Sequence, residues 1–353
     1  MRPLPRRCGK AVDVTGPGIT DRWGVTCADL GASVLAPDGS LVSVFGDTFS
    51  GGTVGRGDWR SPVVLIGRGD ADHQIVYQRA GGPDPDYARQ LWHYRHDHTA
   101  ARRRRGISTV IPSDLLTVGD SMYLHASVNR GLGNVAWTEI WRSDDNGVTW
   151  RDLGREARFP AGLHHGHAQC WSWDHQPGPD GGWVYVAATG FQRDKGIILM
   201  RVRPRHVGSR RQYRSWGFTD GRWGWGSLAT PITPPGEKWG ELTLRRLASG
   251  HWILGGFLAS EYALGYRVVD SPLANMHATA IQKPVIGCGW QDEDHAGSRV
   301  AQLYGGYVLP GSRVGVEAGI GLMVSQWHTA HGWPYRTMQF RVTLDDAASA
   351  AAP

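Results

Sequence analysis

The stretch "CADLGASVLAPDGSLVSVFGDTF", residues 27–49, reads as a strand, a turn and a returning strand. Small and β-prone apolar residues flank "PDG", whose proline and glycine suit a tight turn. Each strand carries one acid near the end remote from that turn, Asp29 in the first and Asp47 in the second. A carboxylate at the lip of an apolar strand is unfavourable unless something satisfies it or uses it. An antiparallel return brings the two ends together, so Asp29 and Asp47 are expected to face each other.

The same plan recurs four times. "IPSDLLTVGDSMYLHASVNR" carries Asp114, and "HAQCWSWDHQPGPDGGWVYVAATGF" carries His167 and Gln169. "WGELTLRRLASGHWILGGFLASE" carries Glu241, and "AQLYGGYVLPGSRVGVEAGIGLMVSQW" carries Gln302 and Tyr304. Leading positions 29, 114, 169, 241 and 304 lie 85, 55, 72 and 63 residues apart, the scatter of a four-stranded unit with variable loops. No segment holds a helical apolar period for three turns, and "PDG", "VGD", "DNG", "ASG" and "PGS" punctuate the chain. The expectation is an all-β, five-bladed β-propeller over residues 20–344, with 1–19 as an N-terminal extension and 345–353 as a disordered tail. In that fold the innermost strand of each blade lines the axis, so the leading polar residues share one hollow.

"SDDNGVTW", residues 143–150, matches the Asp-box pattern through Ser143, Asp145, Gly147, Thr149 and Trp150. Asp145 is expected to bond turn amides, Gly147 to take a positive φ and Trp150 to plug between strands. This is a turn brace, common in sialidase-like propellers.

Composition narrows the function. Of 353 residues 41% are apolar, and no apolar run approaches the roughly 18 residues of a membrane-spanning helix. The first fourteen residues are basic but lead into no apolar stretch, so no signal peptide is expected. Cys8, Cys27, Cys170 and Cys288 contain no C-x-x-C pair, which argues against a zinc or redox site and leaves a Cys8–Cys27 disulfide or buried thiols open. The formal charge of +6 is too diffuse for nucleic-acid binding, and the Arg102–Arg105 run reads as a solvated loop or a contact for anionic surfaces. Seventeen tryptophans against seven phenylalanines supply flat apolar faces that suit sugar rings as well as cores.

Asp29, Asp114 and Glu241 start inner strands on three blades, and Asp47 stands beside Asp29. Such a cluster suits glycosidic hydrolysis, because burial and mutual repulsion keep one carboxyl protonated while another stays ionised. "RGDWRSP" adds Asp58, Trp59 and Arg60, with Arg60 a partner for Asp47 or a sugar hydroxyl. "SQWHTAHGWPYRTMQF" adds Gln326, Trp327, Trp333 and Tyr335. With Asp114, His167, Gln169 and Tyr304, these complete the substrate-binding candidates. The His164, His165 and His167 cluster has no carboxylate at ligand spacing, so no metal or cofactor is expected. Neither a nucleophile elbow nor a phosphate loop is present.

"WGVTCADLGASV", "VFGDTFSG", "WRSPVVL", "TVIPSDLLTVGDSMYLH", "SDDNGVTW", "WGELTLR", "LYGGYVLPGS" and "LMVSQWHTAHGWPYRTMQF" together resemble the domain of unknown function 4185, treated as glycoside hydrolase family 183, the endo-D-arabinanases. The resemblance runs from about residue 20 to 344. It implies a five-bladed propeller that cuts α-linked D-arabinofuranose chains in the arabinogalactan and lipoarabinomannan of mycobacterial-type walls. It places the acid and base on Asp29 and Asp47, and an acidic site residue on Glu241. Members usually carry a secretion signal, so a phage-encoded enzyme acting on the envelope, or a trimmed chain, is the expectation. An inverting mechanism is expected, with Asp29 as base and Asp47 as acid in an interchangeable order. The rival readings are a non-catalytic glycan-binding propeller such as a virion adhesin, and a sialidase. The sialidase ranks last because acidic strand starts would repel an anionic sugar.

Overall fold

The computed structural model describes residues 1–5, 8–52, 56–96, 106–315, 319–328 and 333–345. The Arg102–Arg105 run and the tail beyond Asp345 lie outside the described residues. Five sheets radiate from one axis, which is the five-bladed propeller expected. From the axis outward, blade 1 is Cys27–Leu35, Leu41–Phe49, Val63–Arg68 and Val76–Ala80, with Trp59–Arg60 added beside the second strand. Blade 2 is Thr109–Val118, Ser121–Asn129, Val135–Ser143 and Arg151–Asp152, with Arg158–Pro160 also pairing the third strand. Blade 3 is Cys170–Gln176, Trp183–Thr189, Ile198–Val202, Arg214–Thr219 and Arg222–Trp225. Blade 4 is Trp239–Arg246, Trp252–Leu258, Ala263–Val269, Gln282–Cys288 and a short parallel strand, Arg299–Ala301. Blade 5 is Leu303–Val308, Ile320–His328 and Trp333–Val342. Its outer strand is Gly9–Asp13, drawn from the stretch read in sequence as an N-terminal extension.

Each inner strand packs against the inner strands of both neighbouring blades, closing the ring. The strands form because their apolar residues are buried on both faces, against the blade before and the blade after. Trp171 and Trp173 fill the wedge between blades 2 and 3, and Trp239 and Trp252 the wedge between blades 3 and 4. Much of the tryptophan excess therefore serves packing rather than binding. All four cysteines are free thiols, Cys8 exposed and Cys27 buried, so no disulfide joins them.

The Asp box braces the turn between the third and fourth strands of blade 2. Asp145 accepts from the Ser143 hydroxyl at 2.8 Å, the Thr149 amide at 2.8 Å and the Thr149 hydroxyl at 2.6 Å. Gly147 has φ +83°, and a Cβ there would sit 2.9 Å from Val42 of blade 1. The Trp150 indole donates to the Gly147 carbonyl at 3.0 Å.

Closure of the ring rests on a short pairing. Gly9–Asp13 bonds to Trp333–Val342, and Asp13 takes two bonds from Arg336, at 2.7 and 3.2 Å, and one ion pair from Lys10 at 2.8 Å. Burial pushes the Asp13 carboxyl up, but the Arg336 and Lys10 bonds outweigh it and hold the group below its ordinary value. A depressed pKa contributes stability above the unfolded value that is lost as pH falls through the folded one. Asp13→Ala is therefore expected to lower stability by about 1–3 kcal/mol near neutral pH. The gap between variant and parent should narrow in acid, as followed by urea unfolding at a series of pH values.

Candidate active site

Where the inner strands begin, the axis opens into a cavity of about 420 Å³. Its polar lining includes Asp29 and Asp47 from blade 1, Arg193 from blade 3, Glu241 from blade 4, and Tyr304 and Tyr335 from blade 5. Asp29 is the third residue of its strand, and Glu241 occupies the same place in its own. Strand position alone thus delivers two acids to the mouth of one hollow.

A β-bulge sets Asp47 beside Asp29. The pairing steps from Ala28↔Thr48 to Leu30↔Phe45, so Asp29 alone stands opposite both Gly46 and Asp47. Leu30 at φ +66° and Gly31 at φ +97° absorb the irregularity. A Cβ on Gly46 would fall 2.4 Å from Asp29 Oδ1, so only glycine leaves room for that carboxyl. Asp47 lies inside its strand, which runs on to Phe49, rather than at the start of the following turn.

The hydrogen bonding of the two acids differs. Asp29 is 9% exposed; its Oδ2 accepts from the Tyr304 hydroxyl at 3.1 Å, and Oδ1 is buried with no hydrogen bond among the described residues. Asp47 accepts from the Trp59 indole at 2.8 Å and, more loosely, from the Tyr335 hydroxyl at 3.5 Å. Burial first, then the charge of Asp47, pushes the Asp29 carboxyl well above its ordinary value, and Glu241 adds to this. The Tyr304 hydroxyl and the Asp47 amide oppose the shift without cancelling it. Burial and the nearby aspartates likewise keep Tyr304 and Tyr335 protonated, as donors.

Across the cavity Glu241 pairs with Arg193 at 2.5 Å, leaving its Oε2 buried without a hydrogen-bond partner among the described residues. The charge of Glu241 raises the Arg193 pKa further, fixing it as a cation. Arg193 lies 5.2 Å over the Phe257 ring and 5.4 Å over Tyr304. It belongs to the loop after the second strand of blade 3, the counterpart of the loop that follows Asp47 in blade 1. Sequence reading missed it; the charged "FQRDK" directly after the strand "VYVAATG" was the available signal. Trp327 is 44% exposed at the lip and packs 5.7 Å from Tyr335, a ring face open to solvent. Trp59 stacks 4.2 Å from His96 while its indole holds Asp47.

Other expected site residues lie elsewhere. Asp114 sits at the sixth place of its strand, not its start, and is fully buried in an ion pair with Arg245 of blade 4 at 2.5 Å. Ser172 of blade 3 also bonds it, at 2.6 Å, so three blades are tied together beneath the cavity and a sugar cannot reach this acid. Beyond that tie, a second depression of about 390 Å³ opens at the opposite ends of the inner strands. Arg60 does not pair with Asp47: it is 6% exposed, donates to the Ala88 and Gly24 carbonyls, and lies 4.6 Å over Tyr87. Gln326 is sealed, bonding Glu293 and the Ala301 carbonyl.

Gln169 does not line the cavity either. It clamps the 190–193 loop, donating to the Ala161 carbonyl at 2.9 Å and accepting from the Phe191 amide at 3.1 Å. His167 follows a 3-10 turn rather than standing on a strand, its Nδ1 2.8 Å from the His164 carbonyl, and is outside the cavity. The Trp333 side chain lies outside the described residues.

A protein-family model described as "Domain of unknown function (DUF4185)" matches residues 15–341. An uncharacterized 35.9 kDa protein of Mycolicibacterium smegmatis is 27% identical over 336 residues, 92% of this chain and 94% of that protein. Notoamide biosynthesis cluster protein J′ of Aspergillus versicolor is 28% identical over 323 residues, 87% of this chain and 82% of that protein. Among solved structures, a candidate hydrolase from Bacteroides ovatus superposes with TM-score 0.61 at 14% identity, covering 95% of this chain and 90% of that one. RS223-β-xylosidase superposes with TM-score 0.54 at 10% identity, covering 91% and 95%. At such low identity these structures attest a shared fold. The match over residues 15–341 places the chain in the DUF4185 family.

Proposed function

We propose that this propeller is an endo-acting glycoside hydrolase that cleaves α-D-arabinofuranosyl linkages in the D-arabinan of mycobacterial-type cell walls. The observation that carries the reading is the Asp29–Asp47 pair in the axial cavity, one member buried and raised in pKa, the other held by an indole donor. A glycosidase needs one carboxyl that carries a proton and one that does not. Burial and the charge of one acid on the other keep a proton on Asp29 above its ordinary range. Donors on Asp47 favour its charged form, whereas burial favours neutral Asp29. Asp29 is therefore assigned as the acid that protonates the leaving oxygen, and Asp47 as the base that activates water. The sequence left this order interchangeable.

Glu241, with a free buried oxygen and Arg193 fixing its other one, is placed to hold a furanose hydroxyl. Trp327 and Tyr335 give the sugar an aromatic wall. Solved propellers of similar fold include a β-xylosidase, which agrees with a sugar substrate. The D-arabinan specificity rests on the family resemblance, as does action at the cell envelope, whether outside the cell or by a phage product.

Asp29→Asn and Asp47→Asn are each expected to reduce kcat on purified arabinogalactan by roughly 10²–10⁴-fold with folding intact. Full activity in both variants rejects the pair. Proton NMR of the first reducing end formed should show inverted configuration; retained configuration would make Asp47 a nucleophile and overturn the water step.

The raised pKa has a sign for stability. Between the unfolded value of about 3.8 and the higher folded value, the native state keeps a proton that the unfolded chain releases, so stability falls as pH rises through that window. Asn at position 29 carries no charge to bury. Asp29→Asn should therefore melt at a higher temperature than the parent near pH 7 and lose that advantage near pH 3, as read by calorimetry.

A further inference from the structure

The outer half of blade 3 carries charge that the axial cavity does not use. Residues 198–225 contain seven arginines, from Arg201 to Arg222, and one acid, Asp220; that surplus equals the formal charge of the whole chain, +6. None of the seven forms an ion pair among the described residues. Arg201 and Arg214 even stand directly opposite each other in the sheet. Like charges in that position destabilise a strand pair unless an anion lies against them.

Aromatic rings hold two of these cations in a row. Arg203 lies 3.8 Å over Trp183, and Arg201 lies between Trp183 at 3.9 Å and Trp225 at 4.2 Å. The row continues from Trp225 to Trp216 at 4.9 Å and from Trp216 to Trp223 at 6.0 Å. Stacking fixes the guanidinium planes but leaves their N–H edges without a counter-charge. Arg201 Nε is buried and has no hydrogen-bond partner among the described residues. At the outer end Trp223 and Phe218 are 39% and 49% exposed, beside a depression of about 520 Å³ that they line with Pro231, Pro234 and His277.

We propose that this face is a second binding site, for a strand of anionic polysaccharide. Guanidinium edges take the anionic groups, and the open rings of Trp223 and Phe218 take the C–H faces of sugars. The choice of a glycan among polyanions rests on the polysaccharide substrate proposed above.

The test is titration calorimetry with polygalacturonate, at NaCl from about 50 to about 500 mM, and with neutral arabinan. Arg214 and Arg222 are exposed and outside the cavity, so Arg214→Gln with Arg222→Gln should leave arabinan cleavage unchanged and, with the Arg201–Arg214 repulsion removed, should not lower the melting temperature. The expected result is binding of polygalacturonate by the parent that weakens as salt rises, and binding roughly tenfold or more weaker in the double variant at low salt. Asp29→Asn should bind as the parent does. No binding, salt-insensitive binding, an unaffected double variant, or tighter binding to duplex DNA or phosphatidylglycerol vesicles each overturns the site. Failure of the parent to cleave arabinan would instead count against the hydrolase reading and leave the polygalacturonate result standing.

Discussion

A bulge that seats one buried carboxyl against another is the feature on which the chemistry depends. Asp29 is held beside Asp47: its Oδ1 lies where a Cβ on residue 46 would project, and the Tyr304 hydroxyl bonds its other oxygen. Placing two acids together out of water is unfavourable, and a proton kept on Asp29 relieves the repulsion. The surrounding propeller compensates through interblade packing of Phe45, Trp171, Trp239 and other fully buried side chains.

Rigidity at the axis comes from a different device. Asp114, fully buried, pairs with the largely buried Arg245, and the pair is satisfied further by Ser172 and by the Trp173 amide and carbonyl. A buried ion pair of this kind adds little net stability, yet removing one partner strands the other without a counter-charge. Here it links blades 2, 3 and 4 beneath the cavity, so the floor of the site is fixed. The acids at the strand starts, Asp29 and Glu241, lie above it.

Much of this was legible in the sequence, because strand–turn–strand repeats and turn residues are local signals. Asp29 and Asp47 could be paired on paper, since a hairpin of known length dictates which ends meet. Asp114 misled because its strand begins at Thr109, so the acid lies deeper than its apparent place in the repeat. Arg60 and Gln326 misled because their partners, the Ala88 and Gly24 carbonyls and Glu293, come from distant parts of the chain that no local pattern reveals. Arg193 was missed for the opposite reason: a loop arginine looks like any solvated cation until blade 4 brings Glu241 to it. The outer strand of blade 5 was hidden too, since a five-residue N-terminal strand pairs across more than 320 positions.

The most direct test is a carbon-13 NMR titration of the Asp29 carboxyl in the parent protein and in Asp47→Asn. A proton retained far above pH 4 in the parent, and released at distinctly lower pH once the neighbouring charge is gone, is what the account predicts. An Asp29 carboxyl that titrates near the ordinary aspartate value of 3.8 in both proteins would contradict it.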